Sequence, residues 1–207
     1  MSRTRNTHTH ANTQFSNASA IDCIPYARTA YRATRAFNAR ALVRKMADDD
    51  LDHSISLALQ QVGCPSITLK AEQRACIKSV CDGKDVFLWL PTGFGKSLCY
   101  EVLPFVLGYK LDKQDCLVIV VSPLVSLMTD QVQSLRRRSV KCAILSCGSR
   151  VDKQYVASDD DLRKSSLLFC APEAIDMGKW RDVIAGPDIS TRIVAIVVDE
   201  AHCLSKW

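Results

Sequence analysis

Two clusters in this 207-residue chain carry residue types that could do chemistry together. The first is Pro91-Thr92-Gly93-Phe94-Gly95-Lys96-Ser97, which runs through Leu98 into a helical stretch. Gly93 and Gly95 let the backbone wrap around phosphate oxygens that a β-carbon would hold off. A helix that starts there aims its first N–H groups and its positive dipole end at the same point. Lys96 adds a full charge suited to β- and γ-phosphates, and Ser97 a hydroxyl suited to Mg2+. The second cluster is Asp199-Glu200-Ala201-His202, which ends an apolar run. Adjacent carboxylates in that setting are costly unless something cationic meets them. Mg2+·ATP would do so, with Asp199 on the metal and Glu200 orienting and deprotonating a water. Gly-Lys followed by Ser or Thr arises by chance in roughly one chain in ten of this length, and Leu90 stands where the fuller phosphate-loop pattern has its first glycine. The joint occurrence carries the reading: Lys96, Asp199 and Glu200 as the catalytic set, Ser97 and Asp199 as the Mg2+ ligands.

Something must bring the two clusters to one place. Val86–Leu90, Cys116–Val121, Cys142–Leu145, Leu167–Cys170 and Ile193–Val198 are nearly continuous apolar runs, as strands buried on both faces are. Between or before them, Leu51–Val62, Ala71–Cys81, Lys96–Leu107, Pro123–Arg137 and Pro172–Ile184 read as helical, and Asp159–Lys164 as a polar stretch. Alternating strands and helices predict an α/β fold, a mostly parallel sheet covered by crossover helices, with ligands at the carboxyl ends of the strands. The phosphate loop follows the first of these runs and Asp199 the last. Trp89, just before the loop, reads as core.

The net charge of +5 does not belong to the folded part. Residues 1–46 hold eight Lys or Arg and a single acid, Asp22, so the remainder is slightly acidic. Global basicity is therefore no argument for nucleic-acid binding. That leader, rich in Thr, Asn, Ala and Arg, buries too little to fold and reads as disordered. It is either a mitochondrial transit peptide or a dispensable stretch before an internal start at Met46. The domain proper is expected over 47–207. No apolar run is long enough to span a membrane. Ten cysteines include no C-x-x-C pair, and Cys99, Cys116 and Cys170 lie inside apolar runs, so they read as buried thiols with no zinc site. Arg136-Arg137-Arg138 ends a helix, where cations complement the dipole; contact with a phosphate backbone is the other reading.

Four segments, Pro91–Tyr100 (PTGFGKSLCY), Val121–Val132 (VSPLVSLMTDQV), Leu168–Glu173 (LFCAPE) and Val198–Trp207 (VDEAHCLSKW), resemble motifs I, Ia, Ib and II of RecQ-type DNA helicases. The resemblance covers roughly residues 60–207 and implies the first RecA-like domain of an ATP-dependent 3′-to-5′ DNA helicase, with ATP and Mg2+ as cofactors, DNA as partner and the nucleus as location. It implies that Thr92, Gly93, Phe94, Gly95, Lys96, Ser97 and Leu98 cradle the nucleotide, that Gln73 reads the adenine edge and that Lys70 packs over the base. It places Ser122, Pro123 and Leu124 against single-stranded DNA and makes His202 the link between the ATP and DNA sites. It also implies that the second RecA-like domain and its arginine finger are absent, so that the chain would hydrolyse ATP barely and not translocate. Two other readings stay open: a non-catalytic interaction fragment, and another ATPase of superfamily two such as an RNA helicase or translocase.

Overall fold

The computed structural model describes residues 46–145, 153–176 and 178–200. Residues 1–45 of the leader and His202 lie outside them. Four strands form one sheet: β1 (Leu117–Val121), β2 (Cys142–Leu145), β3 (Leu167–Cys170) and β4 (Ile193–Val198). Their order is β2-β3-β1-β4, and every ladder is parallel. The fold is therefore the expected α/β architecture, and three strands occupy the bounds read from the sequence.

The helices are α1 (Asp48–Gln61), α2 (Ala71–Cys81), α3 (Lys96–Leu111), α4 (Val125–Arg137), α5 (Asp159–Lys164), α6 (Pro172–Asp176), α7 (Gly178–Ala185) and α8 (Pro187–Ser190). They sort onto the two faces by the period-two alternation of the strands. Val118, Val120, Cys142, Ile144, Leu167 and Phe169 pack with α1 to α4 in one cluster. Leu117, Ile119, Val121, Ala143, Leu145, Leu168 and Cys170 pack with α5 to α8 in the other. Both faces are covered, which is why the strands lack polar alternation. Cys99, Cys116 and Cys170 are buried thiols, as their apolar runs implied. The polar stretch Asp159–Lys164 is a helix in its own right, because Ser158 Oγ accepts from the Asp161 N–H (3.1 Å) while the Asp161 carboxylate accepts from the Ser158 N–H (3.0 Å).

Two expectations fail. Val86–Leu90 forms no strand: among the described residues it pairs with nothing, since the sheet ends at β4 and β4's ladder is with β1. An extended run becomes a strand only when a neighbour takes its backbone hydrogen bonds. Its side chains still alternate, with Leu90 buried and Phe87 and Trp89 outward. Trp89 is consequently 76% exposed and is not a core residue.

Candidate phosphate and metal site

Pro91–Ser97 forms a tight loop into α3. The Phe94 N–H donates to Pro91 O (3.2 Å), and Gly93 and Gly95 take positive φ of 79° and 83°, a region glycine enters without steric cost. Gly95 is the residue that caps α3. A β-carbon on Gly93 would meet nothing within 4 Å, whereas one on Gly95 would lie 2.8 Å from Gln73 Nε2. The Lys96 side chain folds back over the loop, its ammonium donating to Leu90 O (2.9 Å) and Pro91 O (3.3 Å). Thr92 and Gly93 are exposed, and Ser97 and Leu98 are half-buried.

At the far end of the chain, the Asp199 N–H donates to Val121 O (2.9 Å), which continues the β1–β4 ladder one residue beyond β4. The Asp199 carboxylate then accepts from Gln131 Nε2 on α4 (3.2 Å) and from the Glu200 N–H (3.1 Å). Glu200 has φ 53°, a left-handed conformation that few side chains adopt. Such outliers concentrate where a site over-determines the backbone.

Tyr100 lies on α3, one turn past Ser97, and is 5% exposed. Burial raises its phenol well above the ordinary range, and the nearby carboxylates of Asp199 and Glu101 add to the shift. α3 packs against β4, so the strand that Asp199 extends lies beside the helix that the phosphate loop begins. The donor types suit a nucleotide and its metal: an ammonium and a glycine-lined concavity for phosphates, a hydroxyl and a carboxylate for a hard divalent cation.

The residues assigned to the base and to DNA sit differently from one another. Gln73 is buried, and its Nε2 donates to Phe94 O (3.2 Å) and Gly95 O (2.9 Å) while its Oε1 accepts from the Lys70 N–H (2.8 Å). The Lys70 ammonium stands 3.6 Å from the centre of the Phe94 ring. Ser122 is fully buried, and its hydroxyl has no hydrogen-bond partner among the described residues. Leu124, at 53% exposure, is the outward residue of that turn. In the Arg136–Arg138 run, Arg136 bonds Cys142 O (3.0 Å) and Gln154 O (2.7 Å), and Arg138 bonds Val62 O (3.0 Å) and Glu101 (2.9 Å). Arg137 alone of the three is exposed.

Sequence reasoning gave no role to Gln131 or Tyr100. Both fall inside the segments that carried the resemblance, but their meaning lies in contacts across the fold.

A family model described as DEAD/DEAH box helicase matches residues 70–207. The chain is 40% identical over 142 residues to "Probable ATP-dependent DNA helicase RecS" of Bacillus subtilis, an alignment that covers 68% of this chain and 26% of that protein. It is 35% identical over 140 residues to "ATP-dependent helicase SGS1" of Saccharomyces cerevisiae, with 67% and 10% covered. It is 33% identical over 162 residues to "ATP-dependent DNA helicase Q5" of Rattus norvegicus, with 76% and 16% covered. The chain spans about a quarter or less of the length of these relatives.

Proposed function

The chain belongs to the DEAD/DEAH box helicase family, and on that premise we propose that it is the ATP-binding lobe of a RecQ-type 3′-to-5′ DNA helicase. One observation carries the reading. A lysine held inside a loop with two left-handed glycines starts the helix that packs against β4, the strand that Asp199 extends.

The loop residues bind the triphosphate. Lys96 exchanges the carbonyls of Leu90 and Pro91 for phosphate oxygens, and the first N–H groups of α3 donate to the same anion. Ser97 and Asp199 would hold a magnesium ion, which when bound would offset the phosphate charge. Glu200 orients a water and accepts its proton. The turn at Pro123 and Leu124 meets the DNA backbone, and His202 relays that contact to the acids. Polarity and the role of His202 rest on the resemblance, and DNA as the partner is supported by the relatives' names. A DNA-directed enzyme works where DNA is kept, in a eukaryote the nucleus.

The test is Mg2+·ATP binding to the 207-residue chain by calorimetry. Lys96→Ala and Asp199→Asn should each weaken it by about tenfold or more, the loss of one charge-assisted contact. Affinity untouched by Lys96→Ala overturns the reading.

A further inference from the structure

A loop with glycines on both sides of one residue has little stiffness of its own, because each glycine is free to leave its conformation. The residue between Gly93 and Gly95 is Phe94, and it is gripped from outside the loop. Gln73 Nε2 donates to the carbonyls of both Phe94 and Gly95, at 3.2 and 2.9 Å. The Lys70 ammonium stands 3.6 Å from the centre of the Phe94 ring and 3.4 Å from the Phe94 carbonyl oxygen. The grip is itself fixed: Gln73 Oε1 takes the Lys70 N–H at 2.8 Å, so the amide can present only its NH2 group to the loop.

Peptide units are trans throughout the described chain, so each C=O lies antiparallel to the N–H of the next residue. Anchoring the carbonyls of Phe94 and Gly95 on Gln73 therefore turns the N–H groups of Gly95 and Lys96 to the opposite side. Successive N–H groups turned to one side around a left-handed residue make an anion-binding concavity.

We propose that Phe94 sets the affinity of the phosphate site, acting through a clasp in which Lys70 holds its ring and Gln73 its carbonyl, so that the loop's N–H groups face the phosphates before any ligand arrives. Lys70, Gln73 and Phe94 are positioning residues in this scheme. Both N–H bonds of the Gln73 amide are committed to the loop, and its oxygen keeps one lone pair for the amino group of a base. The proposal deepens the ATP-binding reading above and rests on it.

The experiment compares two probes on the full 207-residue chain: Mg2+·ATP and inorganic tripolyphosphate with Mg2+, which has no base. Gln73→Ala should weaken tripolyphosphate binding about tenfold, the effect of losing its two hydrogen bonds to the loop. Phe94→Leu should weaken both probes by about two- to fivefold, and Phe94→Tyr, which keeps the aromatic face, should restore them. Lys70→Ala combined with Phe94→Leu should lose no more than either alone. Tripolyphosphate binding unchanged by Gln73→Ala, or Phe94→Leu equal to wild type, overturns the clasp while leaving Lys96-dependent ATP binding intact. If wild type binds neither probe, the ATP-binding reading fails, and amide hydrogen exchange over residues 92–98 of the ligand-free chain judges the clasp. Faster exchange in Gln73→Ala and Phe94→Leu supports it, and unchanged exchange overturns it.

Discussion

The phosphate loop and the acidic end of β4 are held in place by different routes. The loop is seven consecutive residues, held by its own turn, by its own lysine and by a grip from the start of α2. Among the described residues, Asp199 draws only the Glu200 N–H from its own neighbourhood. Asp199 is placed by the ladder to β1 and by Gln131 on α4, both distant in sequence. A locally framed site keeps its shape as long as its few neighbours stay, whereas a site framed by a sheet moves with the whole core.

The largest test of that contrast is Phe169→Ala. Phe169 is fully buried at the centre of β3 and meets Tyr100 edge-on, with ring centres 6.4 Å apart. The substitution should cost about 3–5 kcal/mol, read by chemical denaturation, and should remove the acids' support before the loop's. A loss below about 1 kcal/mol would show that the sheet is not what frames them. Gly95→Ala attacks the loop instead. Its β-carbon would fall 2.8 Å from Gln73 Nε2 at a backbone φ of 83°, a strain of about 1–2 kcal/mol. Nucleotide affinity should fall about tenfold while the circular dichroism spectrum stays unchanged. Unaltered affinity would show that the loop does not need this conformation.

Gln131→Leu sharpens the contrast from the acidic side. It removes the side-chain donor on Asp199 and should raise the Mg2+ concentration needed for ATP binding by about threefold or more, with little change in melting temperature. A large drop in melting temperature would make Gln131 a structural residue rather than a support of the acid. The smallest effect is expected far from both sites. The Asp48 carboxyl is held below its ordinary 3.8 by hydrogen bonds from Lys78 and then Arg74, and Asp52 chiefly by Arg74. Carboxyls lowered in this way stabilise the fold above their unfolded values, and that contribution is lost as pH falls through the lowered folded values. Melting temperature measured downward from a pH of about 4 should therefore fall slightly less in Arg74→Ala than in wild type, and about 1 M salt should erase the difference. Identical acid profiles at low salt would show that these surface pairs contribute nothing.

Much of the framework could be read from the chain. Cys142–Leu145, Leu167–Cys170 and Ile193–Val198 have the bounds their apolar runs implied, because a strand covered on both sides leaves polar residues only at its ends. The loop was legible for the same reason that it is locally framed: its glycines, lysine and serine are neighbours in sequence. Val86–Leu90 was misread because its composition is that of a strand, and composition does not say whether a partner lies alongside. Trp89 was misassigned to the core by the same step. Gln131 was silent because a glutamine on a helix gains meaning only from what the fold sets opposite it. The grip on Phe94 was hidden as well, since nothing in the order of residues sets Lys70 over that ring.

The outward indole of Trp89 gives the molecule an optical probe of its own. Of the chain's three tryptophans, Trp180 is shut away at 4% exposure, while Trp89 stands in water immediately upstream of Leu90 and Pro91, whose carbonyls hold Lys96. Its emission should be red-shifted and open to iodide quenching, and Trp180 should be shielded from both. With Trp207 replaced by phenylalanine, any rearrangement of those carbonyls as the lysine leaves them would be visible as a change in fluorescence, without a label.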